Sequence, residues 1–108
     1  MSSLSEKLRS ATVRREVIED CPVLGKISVR ELWADELAAL LDKQKGKSNI
    51  EQMKLAVIAC VEDPDTHELA FTDDDLPFIH QWAIIKSVND VLDGLLGVKK
   101  TAEDDAKN

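Results

Sequence analysis

The stretch Asp63-Pro64-Asp65-Thr66-His67-Glu68 brings three carboxylates and an imidazole into one short segment. Oxygen donors at its first and third positions are how a calcium loop begins. The rest departs from that geometry. His67 stands fifth, Glu68 stands sixth where the sharp turn requires glycine, and Asp74 stands twelfth with a shorter side chain than the bidentate glutamate such a loop uses. The stretch therefore reads as a solvated acidic turn. The soft ligands are Cys21, Cys60, His67 and His80, and none pair at the C-x-x-C or H-x-x-x-H spacing of a zinc site. A nucleophile pair of Cys60 with either histidine would have to meet in space rather than in sequence. Nothing surrounds such a pair with support, because there are only 4 glycines, no phosphate-cradling loop and no serine on a nucleophile elbow. The expectation is a protein that is not an enzyme, with no catalytic residue, no cofactor and no metal. Both cysteines read as small buried hydrophobes, unbridged.

Charge narrows the partners. At 108 residues the chain is long enough for one domain, and its net charge of −7 with a pI near 4.7 opposes binding to phosphate backbones. It has no basic cluster with interleaved aromatics, so nucleic acid is set aside. The absence of a secretory pattern and of an apolar run near 18 residues points to a soluble cytoplasmic protein with no membrane contact.

The elements that must position any site follow from periodicity. Asp75 to Gly97 is the dominant one, with Leu76, Ile79, Ala83, Ile84, Val88, Val91, Leu92 and Leu95 on one helical face and Phe78, Trp82, Ile85 and Leu96 on another. Thr72 and three aspartates offer caps at its start, Pro77 is confined to its first turn, and Gly97 stops it. Helices are also predicted near 31–43, where Leu32, Trp33, Leu37, Leu40 and Leu41 share a face, and near 50–62, where the run Leu55 to Val61 suits a central element covered on two sides. Asn49 with Gln52 reads as the N-cap pair of the latter. Segments 15–19 and 26–30 around Cys21-Pro22-Val23-Leu24-Gly25 read as a small β-hairpin, in competition with a capping box of Ser28 and Glu31. Residues 62–75 form an acidic connection with seven carboxylates and the anchors Leu69 and Phe71. The predicted fold is mainly α in a small single domain, with at most one short hairpin. Its limits are an N-terminal arm (1–12), a helical domain (13–97) and a disordered acidic tail (98–108).

So much apolar helix surface is more than a domain this small easily encloses. The surplus is expected to serve association through Trp33, Leu37 and Leu40 on one helix and Trp82, Ile85 and Leu96 on the other, laid against helices of a client or of further copies.

The order of these features, with Val29-Arg30-Glu31-Leu32 before an amphipathic helix and Glu68-Leu69-Ala70-Phe71-Thr72-Asp73-Asp74-Asp75 before a final apolar one, resembles the tail assembly chaperones of long-tailed bacteriophages, the lambda G-like family. The resemblance covers roughly residues 13–97. It implies a small helical protein of the host cytoplasm, not carried into the mature virion, that keeps the tape measure protein soluble until tail tube protein polymerises around it. It also implies a second, frameshifted length for which Lys99-Lys100 suits a slippery codon run; the ring or spiral expected of self-association follows instead from one apolar patch meeting a different patch on the next copy. The alternative is a small acidic regulatory adaptor that uses the same helices on a single folded partner.

Overall fold

The computed structural model describes residues 3–11 and 13–97, so the predicted tail and the Lys99-Lys100 pair lie outside the described residues. In order, the elements are α1 (Leu4–Ser10), β1 (Glu16–Cys21), β2 (Gly25–Arg30), α2 (Ala34–Gln44), α3 (Asn49–Cys60), β3 (Val61–Glu62), a 3-10 helix (Asp73–Phe78) and α4 (Trp82–Leu96). The strands make one antiparallel sheet in the order β1-β2-β3. This is an α+β fold, and the mainly α reading is corrected.

Two local conflicts account for the correction. Cys60 and Val61 belong to one unbroken apolar run, which periodicity assigns wholly to a helix. In the folded chain the helix ends at Cys60, and Val61 pairs with Val29 while Glu62 pairs with Ser28. A short buried apolar run fits helix or strand equally well, and only a waiting partner strand decides. Ser28 is the second conflict. It lies inside β2 and donates its hydroxyl to Glu16 at 2.7 Å, so the alternative helix cap with Glu31 is not used.

The other boundaries moved for local reasons. Pro77 and the non-helical Ile79 (φ −89°, ψ 87°) hold Asp73–Phe78 as a separate 3-10 turn, and α4 starts at Trp82 instead of Asp75. Ser48 replaces Asn49 as the cap of α3, its hydroxyl accepting from the Glu51 N–H at 3.2 Å. Gly97 takes the left-handed conformation (φ 73°) that ends α4 as predicted.

The core lies between the sheet and the helices. In the observed register Val17, Val29 and Val61 stand side by side, with Cys21 and Ile27 on the same face, and α4 packs against β1 and β2. α3 runs between α2 and α4 and buries Leu55, Ala56, Val57, Ile58 and Cys60. From α4 come Ile84, Ile85, Val88, Leu92 and Leu95. α1 buries nothing, and Leu4 and Leu8 stay exposed.

Candidate functional site

Two regions of the surface are built in ways that core packing does not require. The first is the sheet face turned away from the core. Alternation puts Glu16, Ser28, Arg30 and Glu62 on that face, because Glu16 pairs with Arg30 and Ser28 with Glu62. Ser28 and Glu62 are buried there although they are polar. The acidic turn covers them: the Asp63 N–H donates to the Glu68 carbonyl, the Ala70 N–H to the Val61 carbonyl, and Leu69 bridges back to Glu62.

Within that turn Asp63 Oδ1 accepts from the N–H groups of Asp65 and Thr66 at 2.8 and 3.2 Å. The oxygen that would be the first calcium ligand is instead holding the turn shut. His67 sits in the left-handed region (φ 62°), where histidine is one of the more tolerated side chains, and its Nδ1 lies 3.3 Å from Glu16 Oε1.

From there a chain of charges crosses the face. Arg30 reaches Glu62 at 3.2 Å and Glu36 at 3.4 Å, and Glu36 meets Arg14 at 2.6 Å. The Arg14 guanidinium then lies 4.8 Å from the centre of the Trp33 ring. The Ser28 hydroxyl holds the Glu16 carboxyl below its ordinary value, with His67 adding to the effect against the opposing pull of burial. Burial pushes Glu36 the other way, but the hydrogen bonds from Arg14 and the Trp33 N–H and the charge of Arg30 outweigh it and leave the group lowered. Two buried atoms of this face have no hydrogen-bond partner, Glu62 Oε1 and Arg30 Nε.

The second region is apolar. A groove of about 350 Å³ opens between α2, α3 and the C-terminal half of α4, lined by Leu37, Leu40, Leu41, Ala56, Leu92 and Leu96 with Gln44, Asn89 and Asp93 at its polar edge. Beyond the other end of α4 a smaller hollow of about 170 Å³ lies among Leu24, Val57, Phe71, Phe78, Ile79 and Ile84, and the Phe78 side chain there is largely exposed.

The six residues predicted to bind partners fall in four places. Leu37, Leu40 and Leu96 line the groove, though Leu40 is only 6% exposed and forms its floor. Trp33 stands at the start of α2 under Arg14. Trp82 is 51% exposed at the first turn of α4, about 20 Å along the helix from Leu96. Ile85 is 2% exposed and belongs to the core, so it presents no surface to a partner. Leu41 and Phe78, which share those apolar faces in sequence but stand outside the predicted partner-binding set, are both exposed.

The remaining candidates are separated. Cys21 and Cys60 are both free and buried. Burial raises the Cys60 thiol to about 12, against a smaller opposing effect of Arg30, so it carries no thiolate at neutral pH. Burial, then the charge of Glu19, raises Cys21 as well. His80 is exposed in the link before α4. The polar-face residues were missed because Glu16, Ser28, Arg30 and Glu62 are scattered in sequence. The available signal was their alternation with Val17, Ile27, Val29 and Val61.

Compared with known proteins, the chain matches no family model, no curated protein and no solved structure. Among the described residues no helix is long and apolar enough to cross a membrane.

Proposed function

We propose that the protein is a binding protein for apolar helical segments, acting as a tail assembly chaperone that keeps a tape measure protein soluble before tail tube protein closes around it. The observation that carries this reading is the groove at Leu37, Leu41 and Leu96, a concave apolar strip flanked by helices on a strongly acidic domain. An amphipathic helix seats in such a strip with anchors one helical turn apart. The acidic exterior keeps the chaperone and its cargo in solution.

A second apolar surface, the hollow at Phe78 together with the exposed Trp82 four residues on, supports self-association. It differs from the groove and lies beyond the opposite end of α4. A patch that seats on a different surface of the next copy, outside the groove, makes a heterologous contact, which closes into a ring or continues as a spiral around a long client.

The test uses Leu37→Glu in the groove and Trp82→Glu at the other patch. Each variant is expected to keep the parent circular dichroism spectrum. Leu37→Glu should lose suppression of light scattering by an aggregating tape-measure segment, and Trp82→Glu should lose higher-order species in light scattering coupled to size exclusion. Folded variants that still protect the client and still assemble would refute the proposal.

A further inference from the structure

We propose that Glu16, Glu62 and His67 form a site for a divalent transition-metal ion that ties the acidic turn to the first strand. The three come from β1 and, much later in the chain, from β3 and the 63–70 turn that follows it directly, and they offer one ligand atom each with all three atoms within 4.8 Å of one another. The His67 Nδ1 to Glu16 Oε1 separation is 3.3 Å. Two ligands at metal bonds of about 2.0–2.2 Å and a tetrahedral angle stand about 3.3–3.5 Å apart, so this pair already has the spacing to share one ion.

Glu62 supplies the independent observation. Its side chain is only 6% exposed, and its Oε1 is buried with no hydrogen-bond partner while Arg30 occupies Oε2. A buried carboxylate oxygen left without a donor is destabilising, and a cation between Glu62 and Glu16 removes that penalty. Arg30 then serves as the outer partner that orients the ligating carboxylate, as such partners do in metal sites.

The donor set selects the ion. One imidazole with two carboxylates suits zinc, manganese, iron or cobalt, whereas calcium takes six or more oxygens and rarely an imidazole. Three protein ligands leave a position for water, and Glu16 and His67 lie on the exposed side of the cluster, which gives an entry path. The inference does not depend on client binding: the cluster lies on the polar sheet face, and the apolar groove and hollow are lined by other residues.

The experiment titrates chelator-treated full-length protein with Zn²⁺ by calorimetry, and with Co²⁺ by absorption. One ion per chain is expected. His67→Gln and Glu16→Gln should each weaken binding at least about tenfold with an unchanged far-ultraviolet spectrum. His80→Gln should bind as the parent does. Zn²⁺ should raise the melting temperature of the parent and of His80→Gln but not of His67→Gln. The Co²⁺ complex should lack a sulfur-to-metal charge-transfer band, which separates this site from the cysteines. Failure of the folded chain to bind Zn²⁺ saturably, binding unmoved by His67→Gln, or equal loss in His80→Gln would each overturn the proposal.

Discussion

Leu40 and Leu41 are neighbours on α2, and replacing each in turn by alanine tests which side of that helix faces the core. Leu40 is 6% exposed and Leu41 is 56% exposed. Leucine to alanine removes three carbons, worth about 2.4 kcal/mol of transfer free energy when fully buried. Nearly all of that is lost at Leu40, and the cavity left between α2 and α3 adds to it, for a cost of about 2–5 kcal/mol. At Leu41 less than half of the transfer term is lost and no enclosed cavity forms, so the cost is about 1 kcal/mol. Alanine favours the helix equally at both sites. In a domain of this size 1 kcal/mol moves the midpoint by about 4–8 °C, so Leu40→Ala should melt about 10 °C or more below the parent and Leu41→Ala within about 8 °C. Thermal melts by circular dichroism at two protein concentrations provide the assay, because a stabilising contact between copies would make the Leu41→Ala shift concentration-dependent. If Leu41→Ala melts at or below Leu40→Ala at both concentrations, or if Leu40→Ala melts with the parent, the orientation of α2 and the groove built on it are wrong.

Arg30→Met leaves the buried carboxylate of Glu62 uncompensated and should cost about 3–5 kcal/mol by urea denaturation, whereas Lys43→Met, which breaks the exposed pair with Asp73, should cost less than about 1 kcal/mol; equal costs would refute the distinction. The Glu31 carboxyl is lowered first by the backbone N–H of Arg15, and Glu36 is lowered overall by its arginines. Both therefore add stability that is fully present above their ordinary value of 4.5 and is lost as pH falls through their native values. Urea midpoints should fall from pH 5 to pH 3, less steeply in Glu36→Gln, and equal slopes would contradict the Arg14 and Arg30 contacts. Neither thiol should react with a disulfide reagent at pH 8 until denaturant is added, when two per chain should appear; rapid labelling of the folded chain would refute the burial of Cys21 and Cys60.

What the sequence determined by itself is whatever depends on near neighbours along the chain. The three-and-four spacing from Ala83 to Leu95 makes a helix wherever it packs, the unbroken run after Leu55 requires cover on two sides, and Gly97 ends α4 because it adopts positive φ without steric cost. The β1–β2 hairpin was legible from its two apolar segments around Pro22 and Gly25. Only the tertiary structure decided the matters that depend on partners distant in sequence. Val61 is a strand residue because Val29 offers it a free edge, which makes the fold α+β instead of mainly α. Leu40 and Ile85 are core while Leu41 and Trp82 face outward, because a helix with apolar residues on most of its circumference does not specify which side its neighbours will cover. Glu16, Glu62 and His67 come together because strand register and one turn fold them onto the same face, and register is a property of the paired strands, not of any single one.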